Sequence, residues 1–164
     1  MTVVSAVKDS QALTMTFVAE FDAGIERVWQ LWEDPRQLER WWGPPTWPAT
    51  FERYEFVAGG GARYYMTGPE GQKSRGWWTI IAIEAPHRLE FDDGFADDNG
   101  EPLASMDPMR SVVTLEAIDS GTRMTLVAKF TNDEQFEQVL SMGAEEGMRL
   151  ALGQIDELLA DVPR

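Results

Sequence analysis

The sequence predicts an α+β domain in which one curved antiparallel sheet of about seven strands surrounds a long C-terminal helix. Three observations support this fold class. A single strand precedes two short helices, a meander of short strands begins near residue 50, and residues 133–160 carry a wide apolar stripe at helical spacing. Because a sheet with one apolar face must be covered, and only the C-terminal helix is long enough to cover it, we expect the sheet to wrap around that helix.

The first elements are predicted to be one strand and two short helices. Residues 13–21 alternate apolar and polar side chains, which is the period of a strand with one buried face. Apolar residues then recur at helical spacing over 25–32, and Pro35 is well placed to begin a second short helix. Residues 1–10 show neither pattern. We therefore expect a flexible N-terminal lead-in over 1–10 and a single domain over 11–164.

Six strand-like segments follow the two helices, and short turns rich in Gly, Pro and Asp separate them. The exception is residues 92–108, which hold six acidic side chains and two prolines, so we expect a solvated, flexible excursion from a hairpin there. The apolar positions from Phe136 to Leu159 predict one continuous helix about 40 Å long. Gly143 and Gly147 lie four residues apart on the helix face that should meet the sheet.

The composition excludes several classes of function. The 164 residues include no Cys, which removes thiolate nucleophiles, disulfides and iron–sulfur clusters. The formal net charge of −14 opposes phosphate backbones and anionic lipid surfaces, so we expect neither a nucleic acid nor a membrane partner. No apolar run approaches the roughly 20 residues of a membrane helix, and the N-terminus is unlike a secretory signal, so we expect a cytoplasmic protein.

The sequence contains no pattern typical of a catalytic or metal centre. His87, the single histidine, follows Pro86 in a predicted turn, and there is no GxSxG nucleophile motif. With one His and no Cys, a transition-metal site would need carboxylates almost alone. The acidic residues of 92–107 lack the spacing of a calcium-binding loop. We expect no metal, no cofactor and no catalytic residue.

Three segments resemble the family named for activators of the ATPase of heat-shock protein 90. This family belongs to the START-like superfamily (SRPBCC), which includes birch pollen allergen. The segments are FDAGIERVWQLWEDPRQLERWWGPP (21–45), GWWTIIAIEAPHRLEFDDGFADDNGEP (76–102) and MGAEEGMRLALGQIDELL (142–159). The resemblance covers about residues 13–160. One departure is Met148, because many relatives have Trp at this position.

The resemblance implies the helix-grip fold, with a deep cavity between the sheet and the long helix. It implies no particular reaction, because the superfamily contains lipid carriers, cyclases, hydroxylase domains and co-chaperones. The leading hypothesis is therefore a small-molecule binding module whose cavity takes an apolar or amphipathic ligand.

Aromatic and glycine residues supply the candidate binding site. The candidate ligand-binding residues are Trp42, Trp47, Tyr64, Met66, Trp78, Phe91, Phe130, Gly143 and Gly147. Trp42 and Trp47 could instead pack in the core, since adjacent residues such as Trp41 and Trp42 cannot all face inward. The two glycines could leave room for a ligand, or they could let the helix approach a bulky aromatic side chain closely. The sequence favours neither reading of the glycines.

Two other functions stay open at this stage. A cyclase- or hydrolase-type enzyme could use charged residues of the strands, such as Arg53, Glu55, Arg63 or Arg110, provided that at least two of them face the cavity. A stress-related co-chaperone of heat-shock protein 90 is the third hypothesis. The charge of −14 and the single predicted domain argue against this chaperone interaction. The sequence also leaves a homodimer open.

Overall fold

The computed structural model describes residues 3–105 and 107–160, and it shows an α+β fold with one antiparallel sheet. The elements are β1 (Val3–Asp9), β2 (Thr14–Phe21), α1 (Ile25–Glu33), α2 (Pro35–Trp41), β3 (Ala49–Tyr54), β4 (Gly61–Thr67), β5 (Lys73–Glu84), β6 (Arg88–Phe95), β7 (Met109–Ile118), β8 (Gly121–Lys129), α3 (Asp133–Ser141), α4 (Ala144–Gly153) and α5 (Ile155–Ala160). The strand order is β1-β2-β8-β7-β6-β5-β4-β3. The predicted fold class is confirmed, with eight strands where about seven were expected.

The additional strand is β1, which lies in the segment expected to be a flexible lead-in. It pairs with the free edge of β2, and the register places Lys8 opposite Met15. The Asp9 carboxylate accepts hydrogen bonds from the backbone N–H groups of Gln11 and Ala12, both at 3.0 Å, and so stabilises the turn into β2. The sequence pattern missed this strand because backbone pairing at a sheet edge needs no alternation of apolar side chains.

A cluster of aromatic side chains joins α1 and α2 to the inner face of the sheet. Trp32 is fully buried, and its ring centroid lies 4.8 Å from that of Trp41 and 6.2 Å from that of Trp78. Its indole N–H donates to the sulfur of Met124 at 3.3 Å. Trp78 stacks on Phe91 with centroids 4.1 Å apart. Aromatic pairs contribute about 0.5–1.5 kcal/mol each beyond their burial, so this cluster anchors both helices.

The C-terminal helical region spans the predicted residues, but the prediction of one continuous helix is wrong. The region consists of α3, α4 and α5. Gly143 has a φ of +81°, so it ends α3 in the left-handed conformation, and its carbonyl then accepts the first hydrogen bond of α4 from Gly147 at 2.9 Å. The second break is at Gln154, whose side-chain amide donates to the Gly43 carbonyl at 2.6 Å.

The acidic segment after β6 makes more contacts than the expected solvated excursion. The Asp97 carboxylate accepts hydrogen bonds from the backbone of Asn99 and Glu101 at 2.9 and 3.0 Å and closes a tight turn. Arg63 donates to the Gly100 carbonyl and pairs with Glu101 at 3.2 Å. These contacts hold the segment against the outer face of the sheet, which is the face opposite the helices.

The two glycines of the helical region should respond to alanine with opposite signs. Gly143→Ala should lower the free energy of unfolding by about 1 kcal/mol, because its positive φ is strained for an L side chain. Gly147→Ala should raise it by up to about 1 kcal/mol, because Gly147 lies inside α4 and an added Cβ would meet no atom within 4 Å. Denaturant unfolding at unchanged slope measures both changes. Two effects of the same sign would contradict the role of Gly143 as the break between helices.

Candidate functional site

Two adjoining chambers lie between the inner face of the sheet and the helices. The large chamber has a volume of about 260 Å³ and the small chamber about 130 Å³. The residues that line both are Trp42, Asp93, Phe95, Met109, Val139, Ala144 and Met148. The large chamber also touches Pro44, Tyr64, Met66, Gly94, Met142, Gly143 and Gly147. The small chamber also touches Met15, Phe17, Ser111, Leu126, Ala128 and Phe130. Most of these side chains are apolar.

Six of the nine candidate residues line these chambers. They are Trp42, Tyr64, Met66, Phe130, Gly143 and Gly147. Trp78 and Phe91 instead form a packed layer beneath Trp42, since the Trp42 and Trp78 ring centroids are 5.0 Å apart. Trp47 lies away from both chambers, and its ring covers Gly68 so closely that a Cβ there would come within 2.8 Å of it.

Consecutive tryptophans at the end of α2 are both buried, contrary to the expectation that adjacent residues could not all face inward. Trp41 is 0% exposed and its indole N–H donates to the Leu31 carbonyl at 3.0 Å, so it packs against α1. Trp42 is 5% exposed and faces the chambers. The helical turn of about 100° between neighbours separates the two directions, and helices and sheet bury both.

Among the described residues, Asp93 is the one carboxylic acid that lines the chambers, and sequence analysis did not identify it. The sequence does contain a signal for its position. Leu89 and Phe91 are buried at alternate positions of β6, and Asp93 is the next residue in that alternation, which places it on the inner face. Asp93 is partly buried and lines both chambers. Desolvation raises its pKa to about 7, the Tyr64 hydroxyl acts in the opposite direction, and the charge of Asp92 raises the pKa further.

A glycine in the neighbouring strand lets Tyr64 reach Asp93. Gly76 of β5 lies directly opposite Tyr64 of β4, and a Cβ on Gly76 would come within 2.5 Å of both Cζ and the hydroxyl oxygen of Tyr64. The Tyr64 ring therefore lies flat across β5, and its hydroxyl interacts with Asp93 on β6. Burial first, and then the Asp93 charge, holds the Tyr64 pKa well above its ordinary value.

Two indole N–H groups add polarity close to this pair. The Trp42 and Trp78 rings, whose centroids lie 6.3 and 6.4 Å from that of Tyr64, oppose the rise in its pKa. Both N–H groups are buried, and neither makes a hydrogen bond within the part of the chain that the structure describes. The chambers are thus apolar apart from Ser111 and a small polar group made by Asp93, Tyr64 and the Trp42 indole.

The charged residues considered for an enzyme do not line the chambers. Arg110 pairs with Glu90 at 2.7 Å and with Asp92 at 2.5 Å. Arg53 and Arg63 border a separate groove of about 560 Å³ on the outer face, where Arg53 pairs with Glu55 at 2.9 Å. The enzyme hypothesis required at least two of these charged residues to face the cavity, and the structure does not meet this requirement.

Neither a metal-binding cluster nor a membrane-spanning helix occurs among the described residues. No group of three or more His, Cys, Asp or Glu side chains is arranged there to hold a metal ion. No helix in the same ranges has both the length and the apolar character needed to cross a membrane.

Comparison with known proteins supplies the family. Residues 22–160 match the family model described as "Activator of Hsp90 ATPase homolog 1-like protein". The chain belongs to this AHSA1 family. Its helix-grip fold places the AHSA1-like chain in the START-like superfamily, as the sequence motifs predicted.

Solved structures agree with this assignment. The chain is similar to a protein from Arthrobacter aurescens, with 56% identity over 99% of this chain and 95% of that one, and a TM-score of 0.94. Protein Ms6760 from Mycobacterium smegmatis shares 42% identity over 99% of both chains, with a TM-score of 0.90. The AHSA1 protein from Silicibacter pomeroyi shares 21% identity over 90% of this chain and 97% of its own, with a TM-score of 0.73, and shows the fold alone. No curated protein matches the AHSA1-like chain.

The contact between Gly76 and Tyr64 can be tested by a double-mutant cycle in this AHSA1-like protein. Gly76→Ala should lower the free energy of unfolding by about 1–3 kcal/mol, because the added methyl displaces the buried Tyr64 ring. In a Tyr64→Ala background the same substitution should have a smaller effect, giving a coupling energy above about 0.5 kcal/mol. If the two substitutions have additive effects on the free energy of unfolding, measured with denaturant, the position of the Tyr64 ring does not depend on Gly76.

The raised pKa of Asp93 predicts how stability depends on pH. The pKa of Asp93 in the folded protein, about 7, exceeds the ordinary value of 3.8. The contribution of Asp93 to the free energy of unfolding is therefore fully present below about pH 4 and is lost as pH rises through 7. Asp93→Asn should therefore match the unsubstituted protein near pH 4 and exceed its unfolding free energy by roughly 1–3 kcal/mol at pH 8.

The matched control for this prediction is Asp92→Asn, which removes the same charge from the neighbouring residue. Asp92 pairs with Arg110 on the opposite face, so its loss should give no gain in stability at pH 8. A gain at pH 8 that is as large in Asp92→Asn as in Asp93→Asn would assign the effect to net charge instead of to burial of Asp93.

Proposed function

We propose that this protein is a binding module for an apolar or amphipathic small molecule, which occupies the two chambers beneath α3 and α4. The observation that carries the proposal is the composition of the chamber walls, which are apolar and contain a few converging polar groups, chiefly Asp93, Tyr64 and the indole of Trp42. Ligand sites in proteins typically combine such walls with a small number of placed polar groups.

The surroundings of Gly143 and Gly147 favour the interpretation that these glycines leave room for a ligand. They do not favour the alternative, in which the glycines allow a tight contact between helix and sheet. A Cβ on Gly143 or Gly147 would meet no atom within 4 Å, although both residues border the large chamber. A glycine retained for close packing would place an added Cβ against its neighbour, as Gly76 does with Tyr64.

The alternatives have less support. The enzyme hypothesis relied on strand charges that lie outside the chambers, and the co-chaperone hypothesis relies on the family description alone. Neither gains an observation from the site geometry.

A substitution at Gly147 tests the proposal directly. Gly147→Leu should keep the protein folded, with unfolding free energy unchanged or raised by up to about 1 kcal/mol, because the side chain extends into the large chamber. It should also weaken binding of the neutral fluorophore N-phenyl-1-naphthylamine at least about tenfold, because the leucine occupies the ligand volume. Fluorescence titration measures binding, and native mass spectrometry of the purified protein searches for a retained molecule.

Gly153→Leu is the matched control, because Gly153 is the exposed last residue of α4 and also has no atom within 4 Å of an added Cβ. It should leave fluorophore binding unchanged. If Gly147→Leu instead destabilises the protein by about 1–3 kcal/mol, or leaves binding intact, the chamber beneath α4 is not the ligand site.

A further inference from the structure

We propose that the ligand is an amine carried on an apolar or aromatic body, with its ammonium group held by the Asp93 carboxylate. This inference rests on the proposed binding function and names the class of ligand. It excludes fatty acids and other molecules with an anionic head from the same position.

The first argument is the charge inventory of the cavity. Asp93 is the one carboxylic acid among the described residues that line either chamber, and no Lys, Arg or His lines them. The nearby Arg110 directs its guanidinium to Glu90 and Asp92 instead. A carboxylate can accept about four hydrogen bonds, and the Tyr64 hydroxyl supplies one partner. A donor carrying positive charge would complete this site.

The second argument is the character of the surrounding walls. Trp42 and Phe95 present aromatic rings to the chambers, and aromatic faces attract cations. Met66, Met109 and Met148 supply flexible apolar surface that adapts to the body of a ligand. A carboxylate head placed here would instead set two like charges together in a poorly hydrated site, which is strongly unfavourable.

The third argument is that the position of the carboxylate is fixed. Asp93 lies in β6, paired with Trp78 of β5 and Met109 of β7. Tyr64, placed by Gly76, contacts it from β4. The anchoring group is therefore carried by the rigid sheet, while the helices supply the apolar cover.

Asp93 also sets the expected pH dependence of amine binding. The titratable groups that act on its pKa are Tyr64 from β4, which contacts it, and Asp92, the neighbouring residue on the opposite face. Among described residues, α3, α4 and the two residues between them place only apolar groups on the chambers, and none of these titrates. They are Val139, Met142, Gly143, Ala144, Gly147 and Met148. Amine binding needs the carboxylate form, so affinity should rise with pH between 5.5 and 8, a range in which an alkylammonium group stays charged.

The experiment compares three probes of similar shape in competition with N-phenyl-1-naphthylamine, whose diarylamine nitrogen is not protonated at these pH values. The probes are 4-phenylbutylamine, 4-phenylbutanol and 5-phenylpentanoate. At pH 8 and 150 mM salt, the amine should bind at least about tenfold more tightly than the alcohol, and the carboxylate should bind most weakly. Lowering the pH to 5.5 should weaken the amine about tenfold and leave the alcohol unchanged.

Two variants separate the local effect of Asp93 from the overall negative charge. Asp93→Asn should abolish the preference for the amine over the alcohol, measured as the ratio of their two affinities. Asp92→Asn removes one charge on the other face and should keep the preference. Fluorophore binding without any preference for the amine would overturn this inference and leave the binding function standing. Loss of the preference in both variants, or an amine affinity that does not fall between pH 8 and pH 5.5, would also overturn it. Absence of binding by every probe would overturn both proposals.

Discussion

The packing of Trp32 and Trp78 on the inner face of the sheet is the contact on which the rest of the structure depends. Trp32 comes from α1, and Trp78, from β5, stacks on Phe91 of β6. Trp42 from the end of α2 rests on the same layer. One aromatic layer therefore holds the first two helices, closes the core beneath them and forms the support under the cavity wall.

The elements with strong periodicity were predictable from the sequence. Alternation over β2 and the Asp34-Pro35 junction between α1 and α2 both matched the structure, because each follows from local rules of burial and capping. The strand β1 and the breaks in the C-terminal helix were not predictable in the same way. β1 depends on an edge supplied by β2, and Gly143 ends α3 through a backbone angle that the apolar stripe does not reveal.

The candidate site was predicted in part. Aromatic and glycine residues such as Trp42, Tyr64 and Gly147 do line the chambers, whereas Trp47 packs on Gly68, because the direction of a loop side chain depends on tertiary contacts. Asp93 was overlooked because the run of acidic residues that follows it suggested a solvated loop. The alternation of buried residues from Leu89 through Phe91 predicts the location of Asp93 better than the acidic composition of the segment does.

The break at Gly143 also makes the start of α4 the least firmly packed part of the cavity wall. The buried residues of α4 are Ala151 and Leu152, both near its C-terminal end, while its first turns carry half-buried or exposed side chains. The ion pair between Lys8 and Glu145, at 3.1 Å, attaches those first turns to β1. Exposed ion pairs contribute little, and segments with few buried apolar contacts open most easily. The start of α4 is therefore the segment of the cavity wall that we expect to open at the lowest free energy, while the sheet stays intact.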